Sequence, residues 1–112
     1  MHNAHPRELE VYQTPNGREP FTEWLESLRD LRVRRRIQAR LDSLKIGNFG
    51  DFQSVGDGVF ELRLHFGVGY RIYYGEIRNT IVLLLWGGGK SGQTRDINRA
   101  KTYWREYKEA HL

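Results

Sequence analysis

The sequence predicts a small α+β domain whose elements run β-αα-βββ-α, with a helical hairpin and a C-terminal helix flanking a small antiparallel sheet. Three observations carry that class. Residues 59–86 alternate, turn at glycine, alternate again, turn near Asn79 and end in an apolar run, which is the pattern of a three-stranded meander. Residues 20–46 carry apolar side chains at helical spacing, in two segments. A further helical stripe, Ile97, Ala100, Trp104 and Tyr107, closes the chain.

In order, residues 1–7 read as a flexible lead with Pro6 as a stop. Residues 8–13 set Leu9 and Val11 against Glu8, Glu10 and Tyr12, a short first strand. In Thr14-Pro15-Asn16-Gly17, proline presets φ and Asn-Gly accepts positive φ, so a turn follows. Pro20 opens the first helix, where its missing N–H does no harm, and Phe21, Trp24, Leu25 and Leu28 form its stripe. The second helix runs from about Arg32 to Ile46 through Val33, Ile37, Leu41 and Leu44, and the break falls near Asp30 and Leu31. Gly47, Asn48 and Gly50 supply a helix stop and a loop, anchored on the core by Phe49 and Phe52.

The meander then separates two faces. Phe60, Leu62, Leu64 and Phe66 fall on one side, with Glu61, Arg63 and His65 on the other. Tyr70, Ile72 and Tyr74 oppose Arg71 and Tyr73 in the next strand. Residues 80–86 are apolar at nearly every position, which suits a central strand covered on both faces. A glycine-rich loop, residues 87–92, follows, and Thr94 is a suitable N-cap for the last helix.

The totals bound the function. A chain of 112 residues makes one domain, 1–112. Three tryptophans, six tyrosines and five phenylalanines argue for a folded globule. The absence of cysteine excludes a disulfide framework and a thiolate nucleophile or metal site, and fits a reducing compartment. The first residues hold no apolar core of a secretory signal, and the longest apolar run, 81–86, is too short to span a bilayer. The expectation is a cytoplasmic protein without a membrane partner. A net charge of +4 and a pI near 9.6 invite a phosphate-bearing partner.

Several motifs need weighing. The run Gly87-Gly88-Gly89-Lys90-Ser91 suggests a P-loop, but the position that must be glycine is Leu84. Gly67 and Gly69 fail as a dinucleotide fingerprint because position 72 is Ile. Lys90 still sits beside a helix start, where free N–H groups attract anions. The four histidines show no metal-ligand spacing, so no metal or cofactor is expected. The second helix carries Arg34, Arg35, Arg36 and Arg40, which read as a solvated face, or as a footprint for RNA or DNA phosphates or for an acidic partner protein. On the polar meander face, Arg63 and Arg71 repel unless something negative lies between them. That something is either Glu61, Glu76 or Asp96, or a bound phosphate whose growing charge the arginines would stabilise during cleavage.

The segments VFELRLHFGVGYRIYY and IVLLLWGGGKSGQTRDINRAK resemble the RelE/HigB-type toxins of bacterial type II toxin–antitoxin modules, within the RelE/ParE superfamily. The GDG-x-x-ELR, GYR-x-Y, GGGKS and RDI-x-x-AK elements follow the phage-related "addiction module killer protein" branch in order and spacing. The resemblance implies a RelE-like sheet and a ribosome-dependent, metal-independent mRNA endoribonuclease. A cognate antitoxin, a helix-turn-helix protein in this branch, would neutralise it. The reaction would be attack of a ribose 2′-OH on the adjacent phosphate with expulsion of the 5′-oxygen.

Carried onto this chain, the resemblance matches Arg71, Arg63 and Lys90 to the family's basic residues. Neither the lysine-rich strand nor the C-terminal histidine pair of better-known members is present. The expected site is therefore Arg63 and Arg71 on the scissile phosphate, with Lys90 assisting. Glu61 or His65 would take the 2′-OH proton. Tyr73 would stack on or orient a base, Arg34, Arg35 and Arg40 would contact RNA, and Asp96 would be structural, pairing with Arg71 or capping the last helix. Two other functions share the resemblance: a ParE-like gyrase inhibitor without nuclease activity, and an inactive antitoxin-binding module.

Overall fold

A computed structural model of the chain describes residues 5–112. The elements are β1 (Glu8–Val11), α1 (Pro20–Ser27), α2 (Leu31–Lys45), β2 (Phe52–Gly56), β3 (Val59–Leu64), β4 (Tyr70–Ile77), β5 (Ile81–Gly89) and α3 (Gln93–His111). The protein is α+β, with the helical pair and the last helix where the sequence put them. The sheet has five strands in the order β1-β5-β4-β3-β2. Its β2–β5 part is antiparallel, whereas β1 joins β5 in parallel, so the sheet is mixed. Among the described residues, no helix is long and apolar enough to cross a membrane.

Local chemistry sets the helix ends. Asp30 accepts a hydrogen bond from the Arg32 amide at 2.9 Å and so caps α2. At the other end Gly47 takes φ +86°, its N–H reaching the Leu44 carbonyl while the Asn48 N–H reaches Ser43. That pair of bonds is a Schellman stop. The strand β2 lies where the sequence predicts loop, because its two large apolar residues, Phe52 and Val55, are three apart and do not alternate. The hairpin signal lay beside it: Asp57 and Gly58 both take positive φ, as a tight two-residue turn requires.

Helices cover both faces. On one, Phe21 of α1 and Ile37, Leu41 and Leu44 of α2 pack on Leu62, Leu64, Ile72, Tyr74, Val82 and Leu84. On the other, Ala100 and Trp104 of α3 pack on Val59, Tyr73, Leu83 and Leu85. The meander face assigned to polar residues is thus half core, and its charged side chains cluster only where α3 begins. A bulge between Tyr73 and Tyr74 brings Leu85 and Trp86 to the α3 side together.

The triglycine is strand, not loop. Gly87, Gly88 and Gly89 pair with Ile72, Arg71 and Tyr70. A methyl group on Gly87 would lie 2.2 Å from the Trp24 ring, and one on Gly88 would lie 2.0 Å from Asp96 Oδ2. The glycines let a tryptophan and a carboxylate sit directly on the sheet. A short 3₁₀ turn, Lys90–Gly92, then leads into α3, whose N-cap is Gly92 rather than Thr94.

Of the expected flexible lead, residues 1–4 lie outside the described residues. Arg7 is buried, with its Nε on Glu76 at 2.9 Å and an Nη on Asn79 at 3.1 Å. A basic residue just before a strand gave no sequence sign of that anchoring.

Candidate functional site

The site forms where the β3–β4 hairpin meets the end of β5. Register places Arg63 directly opposite Arg71. Like charges so placed destabilise a sheet unless compensated. The compensation is Glu61, whose side chain is 0% exposed. It accepts from Arg63 Nε at 3.1 Å and from Gln93 Nε2 at 2.8 Å, and Arg71 Nε stands 3.5 Å away. Each guanidinium turns its Nε toward the buried carboxylate. Among the described residues, no hydrogen bond takes up the Nη groups of Arg63 or Arg71.

A cleft of about 520 Å³ opens beside the pair, lined by Arg63, His65, Arg71 and Lys90 with the backbone of the Gly67–Gly69 turn. Three cations thus line one concavity beside one buried carboxylate, a balance of charge that favours an anion there. His65 is exposed, and its Nε2 donates to Asp51 Oδ2 at 2.5 Å. That bond fixes the ring orientation and leaves Nδ1 for other chemistry. Asp51 was not picked out from the sequence; it precedes β2, the strand that alternation alone did not show.

Four expectations change. Glu61, expected to be open to a 2′-OH, is instead fully buried, bonded to Arg63 and Gln93 and paired with Arg71. Tyr73 does not stack on a nucleobase, because its ring is fully buried under α3. Burial, then the Glu61 and Asp96 carboxylates, push its phenol well above the usual tyrosine range, so it stays neutral. Asp96 accepts from Trp86 Nε1 at 2.9 Å instead of pairing with Arg71 or capping α3. Arg40 donates to the Asn48 carbonyl at 3.3 Å and to the Phe49 carbonyl, so its guanidinium holds the loop after α2.

The other two helix arginines, Arg34 and Arg35, line neither cleft of this region. Arg36 does, with its guanidinium over the Phe66 ring at 4.3 Å. Helical spacing held the clue, since Arg36 lies one turn from Arg40 and beside the Ile37–Leu41–Leu44 seam. Among the described residues, no group of three or more His, Cys, Asp or Glu side chains is placed to hold a metal ion.

A Haemophilus influenzae protein, described as uncharacterized, is 49% identical over 81 residues, which is 72% of this chain and 82% of that protein. The chain belongs to the same family as that protein. No family model matches the chain. The two chains are thus of similar extent.

Proposed function

We propose that this chain is a RelE/HigB-type toxin of a type II toxin–antitoxin module, acting in the cytoplasm as a ribosome-dependent, metal-independent mRNA endoribonuclease. The observation that carries the reading is the Arg63–Arg71 pair, held from beneath by Glu61 and opening with Lys90 and His65 into one cleft. A buried carboxylate that bonds one guanidinium and pairs by charge with the other, while their Nη groups stay unbonded, suits a site for a phosphate.

In this reading the Nη groups of Arg63 and Arg71 hold the non-bridging oxygens of the scissile phosphate. The ribose 2′-oxygen attacks phosphorus, and the bond to the 5′-oxygen breaks. The products are a 2′,3′-cyclic phosphate and a 5′-hydroxyl. His65 takes the 2′-OH proton, since Glu61 is occupied, and Asp51 keeps the ring in place. Negative charge grows on the phosphoryl oxygens, and the arginines meet it without reorganising. Lys90 faces the leaving oxygen, which is protonated by water. With a single imidazole for proton transfer, the chain relies on the ribosome to hold the 2′-OH in line. A helix-turn-helix antitoxin would neutralise the protein by covering this cleft.

The test is induction of the protein in bacterial cells, with and without Arg71→Ala, followed by mapping of 5′ ends on an abundant mRNA. New codon-phased ends that vanish in the variant are the expected result. Growth arrest without new ends would replace this reading with a gyrase inhibitor, and no arrest would leave an antitoxin-binding module.

A further inference from the structure

A second cleft of about 490 Å³ adjoins the one at the arginine pair and runs between α2 and the segment leading into β2. Arg63, Leu64, His65 and Phe66 are a wall common to both. The α2 wall of the second cleft is fixed in advance, because Arg40 is bonded to the carbonyls of Asn48 and Phe49. Gly50 makes room for that arrangement, since a methyl group there would overlap the Arg40 guanidinium and displace it.

Arg36 gives this second cleft its character. It is exposed, and its guanidinium lies over the half-buried Phe66 ring with the carbon 4.3 Å from the ring centroid. A guanidinium supported on one face by an aromatic ring offers its other planar face for stacking. Ser43 and Asn48 border the same space; the Ser43 hydroxyl donates to the Ala39 carbonyl and keeps its acceptor lone pairs, and the Asn48 amide can donate and accept. The sole carboxylate among the lining side chains, Asp51, is engaged by His65. A planar, hydrogen-bonding group carried on an anionic chain fits these features, and single-stranded RNA supplies it in every nucleotide.

We propose that the second cleft is a nucleobase subsite for single-stranded RNA, seating the base next to the bond held at Arg63 and Arg71, stacked on the Arg36 guanidinium above Phe66. This deepens the nuclease reading and rests on it. The α2 side of the groove then sets which base is tolerated beside the cut, while the arginine pair handles the phosphate common to all sequences.

The experiment is an amide NMR titration of the full chain with a short single-stranded RNA methylated at every 2′-oxygen, so that binding is read without cleavage. The expected result is two clusters of shifted amides, one around Arg63, Arg71 and Lys90 and one around Arg36, Ser43 and Asn48. Arg36→Ala should weaken binding by about tenfold, near the lower range for loss of one stacked base. Arg36→Lys, which keeps the charge but not the plane, should fail to restore it. Shifts confined to the Arg71 and Lys90 cluster would overturn the subsite and leave the RNA-binding reading standing. Wild-type affinity in Arg36→Lys would overturn stacking in favour of simple charge. No shifts anywhere would overturn the subsite while the primer-extension test decides the nuclease reading, and shifts around Arg36 caused by an acidic peptide but not by RNA would make the groove a protein-binding face.

Discussion

Arg63 and Arg71 face each other across β3 and β4, and the Glu61 carboxylate lies beneath both. Neighbouring positions on one strand produce this arrangement: residues two apart share a face, and the antiparallel register puts Arg71 beside them. The arginines remain 31% and 14% exposed, so they stay available to a ligand while the carboxylate does not.

Removing that carboxylate leaves two opposed guanidiniums on a half-covered face. Glu61→Gln keeps the size and loses the charge, and it should cost roughly 3 kcal/mol in urea unfolding. Arg71→Ala should cost less, because Arg63 and Gln93 still satisfy Glu61. Wild-type stability in Glu61→Gln would show that the pair does not depend on this counter-ion.

His65 and Asp51 make a separable contribution. On the nuclease reading, His65→Ala should lower the cleavage rate by about a hundredfold, the lower end for loss of a general base. Asp51→Asn should lower it less, since the imidazole remains but loses its anchor. Both variants should still bind uncleavable RNA through the intact arginine pair, with a loss of affinity smaller than the loss of rate. Quantified primer extension would check the rates, and unaltered cleavage in His65→Ala would assign the proton transfer elsewhere.

Much of the fold was legible because period and punctuation agree. The stripes of α1, α2 and α3 were readable, as were the meander and the opposition of Arg63 to Arg71. What escaped depends on tertiary approach. Nothing in Gly87-Gly88-Gly89 distinguishes a loop from a strand until Trp24 and Asp96 are known to press on it. Tyr73 alternates with core residues and looked solvent-facing, but α3 arrives from far along the chain to bury it. Glu61 was readable as an acid beside arginines, and only the packing of Gln93 and Tyr73 shows that it is sealed in. Arg36 differs from Arg34 and Arg35 only by its angle around α2, which decides which arginine reaches Phe66.

The triglycine strand offers a graded test of close approach. Gly88→Ala should displace Asp96 from the Trp86 indole N–H and cost roughly 2–3 kcal/mol, combining overpacking with a broken buried hydrogen bond. Gly87→Ala should be at least as damaging, since the rigid Trp24 ring must move. Gly89→Ala is the control: its φ is −97°, and the nearest atom to a new methyl is Val68 Cγ2 at 4.0 Å. Urea unfolding followed by tryptophan fluorescence should rank Gly89→Ala beside the wild type and the other two well below. Equal stability of all three would mean that the glycines are not there for contact.

Alkaline unfolding should report on Tyr12, which is buried against α3 and donates its hydroxyl to Glu106 Oε1 at 3.2 Å. Burial, followed by the Glu106 charge, pushes the phenol up to about 12 from the usual tyrosine value of 10.0. Between those two values the unfolded chain releases the proton while the native chain keeps it. The unfolded state then binds fewer protons, so stability falls as pH rises through this window and is intact below it. Tyr73 and Tyr74, raised further and chiefly by burial, extend the loss in the same direction. Tyr12→Phe cannot ionise, so its urea midpoint should fall less steeply than that of the wild type above about pH 10. Parallel curves for the two proteins would show that Tyr12 is not shielded from solvent as the packing of α3 requires.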